Sequence, residues 1–168
     1  MNLASIALSI LSLLSSLWLY VGYRSEDTWV NVMVASMLPA GVLHHAREVL
    51  HTIIFVPDSL AWRVPGGLWV FAATLLARDL RVNWGRFRLE LALLPVVMAV
   101  GIEVCQAFHI TDGAYDPWDI FTVITAAALA MKLPGFGWPP QELNVRWHWR
   151  GSVCLANFAI LILADVHR

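Results

Sequence analysis

The chain has few charged residues, and their scarcity indicates its class. Asp, Glu, Lys and Arg make up only 14% of the 168 residues, while 59% are hydrophobic and the mean hydropathy is +0.66. Soluble domains usually carry about 25% charged residues. The deficit is typical of a protein whose surface faces lipid. The formal net charge of −1 provides no positive field, so we expect no nucleic-acid partner.

Lysine, cysteine and several familiar sequence motifs are scarce or missing as well. Lysine occurs once, against ten arginines, and there is no long polybasic run. The two cysteines, Cys105 and Cys154, lie in apolar segments and do not form a disulfide framework. No glycine-rich phosphate loop and no Gly-x-Ser-x-Gly elbow occurs. The usual signatures of nucleotide binding and of serine hydrolases are therefore absent from the sequence.

Long apolar runs dominate the rest of the chain. About twenty apolar residues span the hydrocarbon core of a bilayer, and the first run, Leu3–Val21, holds nineteen residues without a charge. The other predicted crossings are Trp29–Leu43, Val64–Ala77, Leu89–Phe108, Pro117–Leu133 and Gly151–Ala164. We predict an all-α, polytopic membrane helix bundle of six transmembrane helices, with five as the main alternative, in one integral membrane domain over residues 1–168.

Two features of the first half of the chain bear on this count. Residues 44–63 begin polar and turn apolar, so they either extend the second helix or lie at the membrane interface. Pro57-Asp58 and Pro65-Gly66-Gly67 predict breaks in helical structure. The serines of the first run are interpreted as helix-packing residues rather than nucleophiles: Ser5, Ser9, Ser12, Ser15 and Ser16.

Basic residues predict the orientation of the bundle. With six crossings, Arg24, the four arginines of the loop 78–88 and the basic residues of Lys132 to Arg150 share one side. Segments rich in Arg and Lys stay in the cytoplasm. We therefore expect that side to be cytoplasmic, and the acidic hairpin 109–116 and both termini to face outward.

A polar cluster interrupts the apolar pattern after residue 100. Glu103, Gln106 and His109 are three residues apart and share one helix face, and Asp116 and Asp119 open the next helix. A charge at the bilayer centre costs about 2.5–3.5 kcal/mol on insertion scales, so a carboxylate kept there indicates pairing, folding or chemistry. We predict that these five residues form a ligand pocket at the outer membrane boundary. The alternative is that Glu103 and Gln106 only hydrogen-bond neighbouring helices, and that Asp116 caps a helix.

A second polar cluster consists of His44, Glu48 and His51, which the spacing places on one helix face. Imidazole and carboxylate groups so arranged bind zinc or iron, and Glu-x-x-His is a motif of di-iron helix bundles. Those bundles need two copies of the motif, and this chain has one. We therefore expect no cofactor, and interpret these histidines as solvated residues of an amphipathic interfacial turn, with a zinc or iron site as the alternative.

The motif pair Glu103-Val-Cys-Gln106 and Asp116-Pro-Trp-Asp119 resembles the VanZ-like family of small membrane proteins. The segment Pro65-Gly-Gly-Leu-Trp-Val-Phe71 resembles a divergent branch of the same family, and the resemblance covers about residues 50–132. The chain departs from the family pattern at two points. Many members carry an Arg in the hairpin and an Asn four residues after the second Asp, where this chain has Asp112-Gly113-Ala114 and Val123.

The resemblance implies a multi-pass protein of the bacterial inner membrane, and it supplies no reaction. Our first hypothesis is a non-enzymatic or accessory protein of the cell envelope, surrounded by membrane lipids, whose outward-facing pocket takes a lipid-linked or glycan ligand. The second is a membrane-embedded enzyme acting on an envelope lipid or glycan, with Glu103, Asp116 and Asp119 assisted by the histidine cluster and a metal. The third is a small subunit that has a membrane protein partner in a larger complex.

Overall fold

The computed structural model describes residues 3–84, 87–111, 113–133 and 141–143. These residues contain six α-helices, so the predicted all-α class is confirmed. The helices are α1 (Leu3–Tyr23), α2 (Trp29–Met37), α3 (Val42–Ile53), α4 (Asp58–Ala77), α5 (Leu94–Ala107, preceded by a 3-10 turn at Leu91–Leu93) and α6 (Pro117–Lys132). The predicted helix at Gly151–Ala164, and Asp112 in the acidic hairpin, lie outside the described residues.

Helix α4 is the centre of the fold. Helix α1 packs along it on one side, and α6 and α5 pack against it elsewhere. The apolar core between α4, α5 and α6 consists of Val70, Ala99, Val123 and Ala127. The two alanines of this core allow helix backbones to approach closely, as small residues do where helices associate in membranes.

Side-chain contacts fix the directions of α1 and α4. The Ser16 hydroxyl donates to the Pro65 carbonyl oxygen at 2.9 Å. The Arg78 guanidinium, just after α4, lies 3.5 Å from the Ser5 hydroxyl near the start of α1. The two helices are therefore antiparallel.

Helices α4 and α6, by contrast, run in the same direction. Arg63 in the early part of α4 binds Asp116 at the start of α6, and Arg78 donates to the Leu133 carbonyl at the end of α6. The bundle thus has two distinct ends. We call the one with Arg24, Asp58 and Asp116 the acidic end, and the one with Ser5, Arg78 and Leu133 the basic end.

Residues between α1 and α4 make no net crossing of the bundle. The chain leaves α1 at the acidic end, where Arg24 Nη2 donates to the Trp62 carbonyl at 2.9 Å, and it enters α4 at the same end. The expectation that Arg24 shares a side with the loop 78–88 is therefore wrong. The predicted crossing at Trp29–Leu43 is replaced by the shorter helices α2 and α3, because Pro39 and Gly41 separate them.

Two helices of the described residues are long and apolar enough to cross a membrane. They are α1, with a mean hydropathy of 1.9, and α4, with 1.3. The 3-10 turn and α5 form a shorter apolar helix, Leu91–Ala107. Large apolar side chains lie exposed on the outside of the bundle, among them Leu14, Phe121 and Ile124.

The sequence Pro65-Gly66-Gly67 lies inside α4, so the break predicted there is wrong, whereas Pro57 directly precedes the helix. Packing accounts for the difference. A Cβ added at Gly67 would lie 2.6 Å from Thr122 Cγ2 of α6, so only glycine permits this approach. Tertiary packing commonly overrides the low helix propensity of Gly and Pro.

The serines of α1 are packing residues, as predicted, with one exception. Ser5, Ser9, Ser12 and Ser16 are buried, while Ser15 is exposed. The Ser9 hydroxyl donates to the Ser5 carbonyl oxygen at 2.8 Å. Hydroxyl groups on this face thereby have acceptors within the helices themselves.

The basic loop predicted at 78–88 is largely a β hairpin. Strands β1 (Leu80–Trp84) and β2 (Phe87–Glu90) pair antiparallel, and β3 (Gln141–Leu143) adds to β1 in parallel. The alternation of apolar and polar residues in Leu80-Arg-Val-Asn-Trp84 is the signal that indicates a strand. Arg81 Nη2 lies 3.2 Å from Glu90 Oε1 across the hairpin.

The packing of Gly67 gives a first prediction. Gly67→Ala should destabilise the protein, because the new methyl group would collide with Thr122, whereas Gly66→Ala should be neutral or stabilising by up to about 1 kcal/mol, since nothing lies near its added Cβ. Denaturation of the purified variants in micelles measures both effects. Thr122→Ser removes Cγ2 and should restore much of the stability of Gly67→Ala; equal stability of the two Ala variants would contradict the packing described.

Candidate functional site

A cavity of about 460 Å³ lies at the acidic end, between α1, α4, α5, α6 and the hairpin that joins α5 to α6. Four of the five predicted pocket residues line it: Glu103, Gln106, Asp116 and Asp119. They come from the last turns of α5 and the start of α6, which the hairpin brings together. Asp58 and Ser59 at the rim are exposed, so the cavity opens at this end of the bundle.

Glu103 and Gln106 are buried, with exposed fractions of 7% and 4%. The backbone N–H of Asp116 donates to Glu103 Oε2 at 3.3 Å, which ties the hairpin to α5. A buried carboxylate is costly unless it is hydrogen-bonded, so this contact helps to keep Glu103 inside the bundle. Glu103 therefore faces the interior, as the sequence predicts.

Asp116 makes three contacts at once. Besides its backbone bond to Glu103, its Oδ1 accepts from the Trp118 N–H at 2.9 Å and its Oδ2 accepts from Arg63 Nε at 2.9 Å. The first side-chain bond caps α6, and the second joins α6 to α4. The Trp118 N–H, and then the Arg63 guanidinium, hold the pKa of the Asp116 carboxyl below its ordinary value of 3.8.

The hairpin is seated directly on the Gln106 side chain. Gly113 has a φ of +118°, in the region that favours glycine, and an added Cβ would overlap the Gln106 amide. Both the backbone conformation and the close approach therefore require glycine here. A longer side chain at this position would push the hairpin off the cavity.

Two arginines that are not among the predicted pocket residues, Arg24 and Arg63, also line the cavity. The Arg24 guanidinium lies 5.2 Å from the Tyr20 ring centroid and 4.9 Å from that of Trp62. Arg63 reaches its carboxylate partner beside Trp118, at 5.8 Å from that ring. One feature of the sequence could have indicated these two residues: each arginine lies beside or one turn from an aromatic residue. Each also lies next to an apolar segment, where a charged side chain needs a partner.

The prediction that His109 belongs to the pocket is wrong. The helix ends at Ala107, and His109 has a φ of 54° and an exposed side chain that does not line the cavity. The three-residue spacing from Gln106 therefore no longer places it on the same helical face. Its backbone N–H donates to the Gln106 carbonyl and closes the end of the helix.

The histidine cluster does not reach the cavity: none of His44, Glu48 and His51 lines it. His44 Nε2 lies 3.6 Å from Glu48 Oε1, but the His51 ring instead stacks on Tyr23 at 4.7 Å between centroids. Among the described residues, no group of three or more His, Cys, Asp or Glu side chains is arranged to hold a metal ion. An enzyme that combines both clusters in one metal site is therefore not supported by the geometry.

His44 and His51 contribute to the contact between α3 and the end of α1. His51 Nε2 lies 3.0 Å from the Gly22 carbonyl oxygen, a hydrogen bond that a ring N–H makes. His44 hydrogen-bonds Glu26, and this bond, together with the nearby Arg47, lowers the pKa of the Glu26 carboxyl. These contacts give both histidines partners within the protein.

The lining of the cavity combines four carboxyl groups, two guanidinium groups, one amide and three aromatic side chains. Carboxylate and amide oxygens accept hydrogen bonds from hydroxyl groups, and indole and phenol rings pack against apolar faces of a ligand. A volume of this size is within the range of small-molecule sites. The cavity therefore suits a polar head group rich in hydrogen-bond donors better than an acyl chain.

In comparisons with known proteins, no family model, curated protein or solved structure matches the chain. The resemblance to the VanZ-like family therefore depends on its motif residues alone. Glu103, Gln106, Asp116 and Asp119, which carry that resemblance, lie around one cavity.

The lowered pKa of Asp116 gives a second prediction. A carboxyl group whose pKa is lower in the folded state stabilises the fold above its ordinary pKa of 3.8, and this contribution is lost as the pH falls through the lowered value. Asp116→Asn keeps an oxygen to cap α6 but loses the ion pair with Arg63. The wild type should therefore exceed the variant in stability at neutral pH, and the difference should shrink under strong acid; a difference that does not depend on pH would contradict the role of the ion pair.

Proposed function

We propose that this chain is a VanZ-like integral membrane protein of the bacterial inner membrane, acting as a non-enzymatic or accessory protein of the cell envelope. Its cavity binds a lipid-linked or glycan ligand from the outer side. The observation that carries this proposal is the meeting of Glu103, Gln106, Asp116 and Asp119 in one cavity at the end of an apolar bundle. Polar groups inside a membrane bundle are costly, and they commonly mark a ligand or ion site.

The aromatic lining supports a sugar-bearing ligand. Trp62, Trp69 and Tyr20 contribute to the cavity wall, and the carboxylates of α5 and α6 line the same cavity. The hydroxyl groups of a sugar can donate to Glu103 and Asp119, and its C–H faces can pack on the rings. A lipid anchor would remain in the bilayer beside the bundle.

The distribution of charge supports the orientation. Among the described residues, the basic end carries Arg78, Arg81, Arg88 and Lys132, and the acidic end carries three arginines, Arg24, Arg47 and Arg63. The positive-inside tendency then places the basic end in the cytoplasm and the cavity outside. In this orientation α1, α4, α5 and α6 each cross the membrane. The start of α1 then lies on the cytoplasmic side, which replaces the expectation that the amino terminus faces outward.

Thiol labelling tests the orientation. In a background in which Cys105 and Cys154 are replaced by Ser, a Cys at Thr111 in the hairpin should react with an impermeant maleimide added to spheroplasts. A Cys at Lys132, at the opposite end of α6, should react only after the membrane is opened. The reverse pattern would contradict the proposed orientation.

The role of Glu103 is tested by two substitutions. Glu103→Gln keeps an acceptor for the Asp116 N–H but removes the charge, so the protein should fold while affinity for a sugar head group falls about tenfold or more, the loss expected for a hydrogen bond to a charged group. Glu103→Leu leaves that N–H without its acceptor and should lower the yield of folded protein. Binding is measured in nanodiscs by quenching of tryptophan fluorescence with an alkyl disaccharide, since Trp62 and Trp69 line the cavity.

Two controls accompany this experiment. Glu90→Gln removes a carboxylate at the basic end, 3.2 Å from Arg81, and should leave binding unchanged. A lipid with the same alkyl chain and a phosphocholine head group should not compete. Equal binding by Glu103→Gln and the wild type would show that Glu103 is not a ligand residue.

A further inference from the structure

Helix α3 leaves an apolar stripe exposed. Val42, Val49 and Ile53 are 44%, 43% and 74% exposed, and Ala46 lies between them on the same face. At 100° per residue these four positions fall within a narrow arc, opposite His44, Glu48 and His51. The stripe continues to Phe55 just beyond the helix, which is 88% exposed. Exposed apolar surface of this extent marks a contact with a partner or a membrane.

The other side of α3 is fastened to the end of α1. Arg47 donates to the carbonyl oxygens of Gly22 and Arg24, and its side chain is only 10% exposed. The Tyr23 hydroxyl donates to the Ile54 carbonyl at 2.8 Å, just after α3. These bonds fix which face of α3 is turned toward the bundle, and they leave the apolar stripe on the outside.

The position of α3 along the bundle, beside the end of α1, indicates what covers the apolar stripe. Trp18 and Tyr23 pack edge to face at the end of α1, with 5.7 Å between centroids, and both residue types concentrate at the boundary between lipid and water. With 12 residues α3 is about 18 Å long, too short to cross a hydrocarbon core of about 30 Å. Helix α3 contains one Arg and one Glu, so it has no excess of either charge that would attract a charged macromolecule.

We propose that α3 is an interfacial helix that lies in the outer surface of the bilayer, with Val42, Val49 and Ile53 in contact with lipid. This inference rests on the membrane placement proposed above, and it does not depend on the identity of the cavity ligand. Amphipathic helices of this composition bury their apolar face about 5–10 Å into the boundary between head groups and acyl chains. Because Arg47 of α3 holds the backbone at Arg24, which lines the cavity, the mouth of the cavity then lies at the depth of the lipid head groups.

The test compares labels on opposite faces of α3 in the full-length protein. Single cysteines at Val49, Ile53 and Glu48, in the background without native cysteines, carry an environment-sensitive fluorophore in nanodiscs. Brominated phosphatidylcholine should quench the labels at Val49 and Ile53 several-fold more than the label at Glu48. Iodide in the buffer should show the opposite preference. Ile124, 51% exposed on α6, provides a lipid-facing reference site.

Three results would overturn the inference. If iodide quenches the Val49 and Ile53 labels as strongly as the Glu48 label, α3 lies in water. If neither quencher reaches them, another protein or a second copy of the chain covers the stripe. If the Ile124 label is also unaffected by brominated lipid, the bundle is not in the bilayer and the proposed membrane placement fails with it. Quenching at Ile124 but not at Val49 would overturn only the inference about α3.

Discussion

The hydrogen bond from the Asp116 N–H to the Glu103 carboxylate is the contact on which the acidic end of this protein depends. A carboxylate that is 93% buried among apolar helices requires a donor, and the chain provides one from its own backbone. The same residue caps α6 and binds Arg63 of α4. One aspartate thereby sets the positions of α4, α5 and α6 around the cavity, and Gly113 lets the hairpin close over Gln106.

Close packing along α4 is the second requirement. Gly67 allows α6 to approach, and the Ser16 hydroxyl of α1 donates to the Pro65 carbonyl oxygen. The two neighbours of α4 thus offset the cost of a Pro-Gly-Gly sequence in its interior. The arrangement brings Tyr20, Trp62 and Trp69 into the same cavity as Glu103, Asp116 and Asp119.

The sequence predicts those features of the structure that depend on residues close together in the chain. Helix α6 was predicted at Pro117–Leu133 and is found at Pro117–Lys132, because Asp116 and Pro117 mark its start in the sequence itself. The convergence of Glu103, Gln106, Asp116 and Asp119 also follows from local spacing across a short hairpin. The continuity of α4 through Pro65 does not, because it depends on contacts with α1 and α6 that are distant in sequence. The roles of Arg24 and Arg63 were not predicted for the same reason, since Trp62, which Arg24 contacts, and Asp116, which binds Arg63, are distant in sequence or belong to another helix.

The central claim is that a water-accessible cavity enters the apolar bundle from the outer side. Val123 and Ala127, one turn apart on α6, both belong to the apolar core, but only Val123 also lines the cavity. The decisive measurement is the reaction rate of a small, impermeant methanethiosulfonate with a cysteine at each position in a bilayer, added from the outside. The account predicts that the cysteine at Val123 reacts and that the one at Ala127 does not. Equal protection of both cysteines, or reaction only from the cytoplasmic side, would contradict it.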